Sequence, residues 1–154
     1  MGGIELNKVV HKNLMVVNSQ SKTKKEVLEE LGSLLEEGGY VSDADEFIQD
    51  VYFRETEGIT GIGQGVAIPH GKSEAVNKTT VAIAVLENDI EWETLDELPV
   101  NVVILFAVRD TDANTTHILL LQQVAIMLAH DDFIVKLKNV TSIDELYSLI
   151  VESN

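Results

Sequence analysis

Apolar residues recur along the chain with two periods, and the changes of period mark out a series of elements. Residues 13–17 read as a short strand. Ser21 or Thr23 is placed to cap a helix on which Val27, Leu28, Leu31, Leu34 and Leu35 recur at helical spacing, and Gly38-Gly39 stops it. Ser42 with Asp45 three residues on has the pattern of a capping box. It precedes Phe47, Ile48, Val51 and Tyr52 on one face of a second helix that should end before Gly58.

Beyond Gly58 the helical period disappears into a glycine-rich stretch, then a short β-type run, Val66-Ala67-Ile68. Pro69 cannot donate to a ladder and pushes Ile68 toward extended geometry, so the strand is predicted to stop there with His70 at its end. Residues 79–86 and 100–108 read as strands. The second is apolar at nearly every position, which predicts cover on both faces. Between them, the segment with Trp92 and Pro99 reads as a hairpin or short edge strand. A long helix is expected over 115–129, capped by Asn114 and apolar around most of its circumference, hence deeply buried. A last helix follows Ser142, with Glu145 three residues on and Leu146, Leu149 and Ile150 on one side. Cover on both faces of the second strand predicts a sheet flanked by helices within one domain over 1–154.

Composition narrows the function classes. The 154 residues suit one ordinary domain, and 45% hydrophobic residues with 2 prolines are globular proportions. A formal net charge of −15 disfavours nucleic-acid backbones and anionic membrane surfaces, and favours a basic protein partner. Absence of cysteine removes disulfides, thiolate chemistry and Cys-based metal sites, and fits a reducing compartment. No apolar run approaches the roughly 18 residues of a membrane span, and the N-terminus lacks a secretory pattern, so a cytoplasmic protein is expected.

Candidate chemistry concentrates in residues 58–73. Gly58, Gly61, Gly63 and Gly65 allow backbone closed to other residues, which implies a close approach. The stretch leads into a strand and not from a strand into a helix, which excludes a dinucleotide fingerprint, and no Walker pattern is present. His70, held by Pro69 and followed by Gly71, is predicted to be exposed and aimed. A neutral imidazole is nucleophilic, and a phosphorylated nitrogen would need donors nearby. His117 falls in the first turn of the long helix, whose free N–H groups favour bound phosphate, though its position alone suits a helix-capping or surface histidine better. Arg54, near the end of the second helix, could fork onto phosphate oxygens or simply pair with Glu55 or Glu57. His11 and His130 have no comparable setting and read as structural or surface residues.

Taken together, Arg54-Glu55, the run from Thr60 through Gly61-Ile62-Gly63, Gly65 and Ala67-Ile68-Pro69-His70, and Asn114-Thr115-Thr116-His117 resemble the fructose/mannitol-type IIA domain of the bacterial phosphotransferase system. The likeness spans nearly the whole chain. It implies an α/β (α+β-like) fold, a mixed sheet flanked by helices, and that His70 is phosphorylated reversibly by the carrier HPr, that Arg54 steadies the phosphate and that His117 donates a hydrogen bond, with no cofactor and no metal. A IIA domain passes its phosphoryl group to a IIB cysteine serving a membrane IIC. With no cysteine here, IIB lies outside this sequence. No role is carried over to Lys72 or Ser73. The segment Glu91-Trp92, Leu95-Asp96 and Pro99-Val100 looks more like fructose-specific members than like the nitrogen-type regulatory IIA. Other readings are a IIA-like sensory domain of a larger regulator, and a hydrolase with His70 and His117 on a metal.

Overall fold

The structure is a computed structural model that describes residues 6–112 and 116–153, the side chains of Asp112, Thr116 and His117 excepted. Six strands form one mixed sheet: β1 (Val10–Ser19), β2 (Gly61–Gly63), β3 (Val66–Ala67), β4 (His70–Ser73), β5 (Thr80–Ile90) and β6 (Val100–Arg109). Their order is β1-β5-β6-β3-β2, and β4 also pairs with β6. Helices α1 (Lys24–Glu37) and α2 (Ala44–Glu55) supply side chains to one core cluster. Helices α3 (Thr116–Leu128), α4 (Asp131–Lys138) and α5 (Ile143–Glu152) supply the other.

Strand β6 has cover on both faces because its alternate residues enter opposite clusters. Val102, Ile104, Phe106 and Val108 pack on the α3–α5 side, and Val103, Leu105 and Ala107 on the α1–α2 side. Strand β5 repeats this with Val81, Ile83 and Val85 against Ala82, Ala84 and Leu86. Its alanines suit a close approach of α1, since side-chain volume sets how near a helix can lie to a sheet.

Thr23 caps α1 by accepting from the Glu26 amide at 3.0 Å, and Ser142 caps α5 through Glu145 at 3.1 Å. The expected Ser42 cap is displaced by one residue. Asp43 accepts from the Glu46 amide at 3.1 Å, because Ser42 is occupied with the Ala75 carbonyl through both its amide, 2.8 Å, and its hydroxyl, 3.2 Å. The Asn114 cap lies outside the described residues. Helix α3 departs from the expected deep burial: Leu120, Val124, Met127 and Leu128 are buried, but Ile118 and Ile126 are 52% and 66% exposed. An all-round apolar sequence does not reveal which side has a neighbour. Helix α4, which the sequence reading left unassigned, buries Phe133, Ile134 and Leu137.

Strand β3 ends at Ala67, before Pro69, as expected, but pairing with β6 resumes beyond the proline in β4, so His70 starts a strand where it was expected to finish one. Val66 pairs with Val102 and His70 with Phe106 in one parallel register, and the Phe106 amide donates to the Pro69 carbonyl at 3.0 Å. Proline removes a single donor from the ladder while its acceptor still serves. His70 therefore opens β4.

Candidate phosphate-acceptor site

The glycine-rich segment folds as a tight hairpin from β2 to β3. Gln64 and Gly65 both take positive φ, 57° and 84°, the two-residue turn whose twist matches antiparallel strands. What approaches it is the chain itself. The Gly61 amide donates to Glu93 and its carbonyl accepts from Leu95, at 3.2 and 2.9 Å, while Asp96 accepts from the Gln64 amide at 2.9 Å. The Gln64 amide first, then that of Leu98, holds the exposed Asp96 carboxyl below its ordinary pKa.

His70 lies where this hairpin meets the end of α2. At Gly71 a Cβ would come within 2.8 Å of Val51 Cγ2 and 2.9 Å of Phe47 Cε1, so the missing side chain lets α2 sit directly on β4. That contact brings Arg54, in the last turn of α2, across to the imidazole: its Nε donates to His70 Nε2 at 2.9 Å. The guanidinium also reaches the Gly58 carbonyl, at 3.4 Å. A guanidinium only donates, so Nε2 carries a lone pair and the ring proton resides on Nδ1, 3.2 Å from the Ile68 carbonyl that accepts it. The ring stands edge-on to Phe106, with centroids 6.5 Å apart. Only 7% of His70 is exposed, less than its predicted openness, because α2 and Arg54 cover it.

Arg54 thus faces His70, and Glu55 is paired instead with Lys24, Nζ to Oε1 2.6 Å. His117 occupies the first turn of α3 and its side chain lies outside the described residues. Leu120, one turn further on, shares a buried cluster with Phe106, the aromatic neighbour of His70. Ser73 is buried and accepts from the Ala75 amide at 3.1 Å, while Lys72 is exposed. His11 stacks on Tyr40, ring centroids 5.3 Å apart, and burial followed by the Lys78 charge lowers its pKa. His130 is exposed before α4.

No group of three His, Cys, Asp or Glu side chains arranged to hold a metal occurs among the described residues. No single described helix is long and apolar enough to cross a membrane. Sequence reasoning missed a buried polar group beneath the site, Glu55, Thr60 and Trp92, because separations of 5 and 32 residues follow no local period.

The fold and this geometry define a mixed α/β protein organised around one arginine-contacted histidine on a strand. Residues 8–153 match the family described as the phosphoenolpyruvate-dependent sugar phosphotransferase system, EIIA 2. The chain is 32% identical over 148 residues to the PTS system 2-O-alpha-mannosyl-D-glycerate-specific EIIABC component of Escherichia coli (strain K12), covering 96% of this chain and 22% of that protein. It therefore spans about a fifth of that relative's length. Among solved structures it resembles the nitrogen regulatory protein IIA-Ntr from Neisseria meningitidis, with a TM-score of 0.85, 26% identity and coverage of 94% and 97%. It also resembles enzyme IIAMtl in its complex with phosphorylated enzyme IIBMtl from Escherichia coli, with a TM-score of 0.77, 26% identity and coverage of 93% and 97%. The chain belongs to the EIIA type 2 family of the sugar phosphotransferase system.

Proposed function

We propose that the chain is a cytoplasmic phosphohistidine carrier that accepts a phosphoryl group from HPr on Nε2 of His70 and donates it to a IIB cysteine, for uptake of a fructose-type sugar. One observation carries the choice of atom: Nδ1–H is held by the Ile68 carbonyl while Nε2 keeps its lone pair toward Arg54. In transfer, Nε2 attacks the phosphorus of phospho-HPr in line. The P–N bond to the HPr imidazole breaks as the new one forms, and the departing ring retains the electron pair. The Ile68 carbonyl stabilises the positive charge that develops on the His70 ring. Arg54 exchanges its contact with Nε2 for the phosphoryl oxygens, and His117 supplies a further donor at the helix start. A IIB thiolate then attacks the phosphorus and His70 leaves as a neutral imidazole.

Exposed apolar residues support a protein partner. Phe53 beside Arg54 is 67% exposed, Ile59 52% and Leu95 70%, and Ile62 lies in the strand bridged to Thr94. The chain's net charge of −15 suits a basic HPr face.

A second reading is favoured by the likeness to the nitrogen regulatory protein, TM-score 0.85: a IIA that is phosphorylated in the same way but controls other proteins. Incubation with phosphoenolpyruvate, Enzyme I and HPr tests what the two readings share. One acid-labile, base-stable phosphate is expected on the wild type and none on His70→Ala. ³¹P NMR of the product should show the Nε2 adduct, and an Nδ1 adduct would refute the assigned atom. Adding IIB, IIC and fructose separates the readings, since a regulator takes phosphate from HPr and never supports sugar phosphorylation.

A further inference from the structure

Two hydrogen-bonded arms meet at Thr60, a residue only 3% exposed. Its hydroxyl accepts from Trp92 Nε1 at 3.2 Å and donates to Glu55 Oε2 at 2.6 Å. The direction is unambiguous, because indole N–H only donates and carboxylate only accepts. Its carbonyl accepts the Ile68 amide at 2.9 Å, and the carbonyl of Ile68 in turn receives His70 Nδ1–H at 3.2 Å. The side-chain arm thus ends on the residue next to Arg54, and the backbone arm ends on the His70 ring.

Glu55 is held in turn. Lys24 Nζ lies 2.6 Å from its other oxygen and 2.8 Å from Glu93, and stands 4.7 Å from the centroid of the Trp92 ring. Burial opposes the ammonium charge, but the hydrogen bonds it donates to Glu55 and Glu93, with their negative charges, outweigh that and raise the Lys24 pKa. The anchor beneath the site is therefore a lysine whose charge is held by two carboxylates.

We propose that Thr60 and Glu55 are positioning residues for phosphoryl transfer, locking the loop that holds His70 Nδ1–H to the helix turn that carries Arg54. The inference rests on the phosphocarrier reading for its kinetic consequence, but not for its effect on the ring. Without the Thr60 hydroxyl the Ile68 carbonyl and Arg54 lose their common reference. The imidazole is then free to place its proton on Nε2, which is unreactive toward phosphorus.

The test compares Thr60→Val, which keeps shape and carbonyl, with Thr60→Ser, which keeps the hydroxyl, and with Glu55→Gln, which keeps volume. Long-range ¹H–¹⁵N spectra of histidine-labelled protein read the His70 tautomer without any donor. Wild type and Thr60→Ser should show Nδ1–H, and Thr60→Val and Glu55→Gln a mixture. With phospho-HPr, the transfer rate at saturation should fall about 10- to 100-fold in the Val and Gln variants and recover to within about 3-fold in Ser, the half-saturating HPr concentration staying unchanged. Circular dichroism reports folding, and Glu55→Gln decides if Thr60→Val does not fold.

A folded Val or Gln variant with the wild-type tautomer and rate overturns the proposal. So does a Ser variant as slow as Val. If wild type takes no phosphate from HPr while the tautomer still responds, the carrier reading fails and only the control of the His70 ring by Thr60 and Glu55 stands.

Discussion

Strands β5 and β6 and the edge that carries His70 belong to one sheet, yet different forces hold them. The central pair runs 11 and 10 residues and is buried on both faces along most of its length, mainly by apolar side chains. Burial of apolar area is non-directional, so such a core tolerates changes of identity that conserve volume. The edge is made of strands of 3, 2 and 4 residues joined by a tight turn and a proline. Its order comes from directional bonds: Arg54 to His70, Thr60 to Glu55, Gln64 to Asp96. Stability resides in the first region and geometry in the second, so mutations should separate the two.

The largest effect expected is on folding. Leu105→Ala, at a wholly buried β6 position facing α1 and α2, should cost about 2–5 kcal/mol in denaturant titrations. Phosphate acceptance per folded molecule should stay as in wild type. A parallel fall in transfer would show that the two regions are not separable.

Gly71→Ala joins the regions and should be next. Its Cβ would lie 2.8 Å from Val51 Cγ2 and 3.3 Å from the Val51 backbone nitrogen, so α2 must retreat from β4. About 1–3 kcal/mol of overpacking is expected in thermal or chemical unfolding. Transfer should slow by more than the unfolded fraction explains, because Arg54 moves with α2. Arg54→Lys confines the damage to the site. It should leave stability within about 0.5 kcal/mol and slow transfer roughly 10-fold, since lysine keeps the charge but not the planar fork. Equal rates for Lys and Arg would reduce the residue to a point charge.

The smallest effect is acidic. Asp96 has a depressed pKa in the fold, so its hold on the hairpin is complete above the ordinary aspartate value of about 3.9 and is lost as pH falls through the lower folded value. Amide shifts of Gln64 and Leu98 should titrate there in wild type and not in Asp96→Asn, while β6 amides stay unmoved.

Much of this was legible in the chain. The nearly continuous apolar run of β6 announced double-sided cover, and Thr23 and Ser142 announced two helix starts, because burial pattern and capping are local to the element that displays them. Arg54 and His70 could be singled out by residue type and by the motif around them. Helix α4 was not legible: its apolar Phe133, Ile134 and Leu137 fill barely two turns, too short for periodicity to speak. Pro69 marked the break after β3, but the new strand that starts at His70 was not legible, because the β6 partner that carries the ladder onward is distant in sequence.

Sequence alone determined the materials: two amphipathic helices ahead of the glycine turn, a central apolar strand pair, and a histidine between a proline and a glycine. Only the tertiary structure decided that Arg54 meets Nε2 while Ile68 takes Nδ1–H, and that Thr60 joins Glu55 and Trp92 beneath them. The reason is physical. Helix and strand periods are written within a few residues, whereas a hydrogen bond between distant side chains exists only after packing has closed the loops between them, and its direction depends on tenths of an ångström that no local pattern encodes.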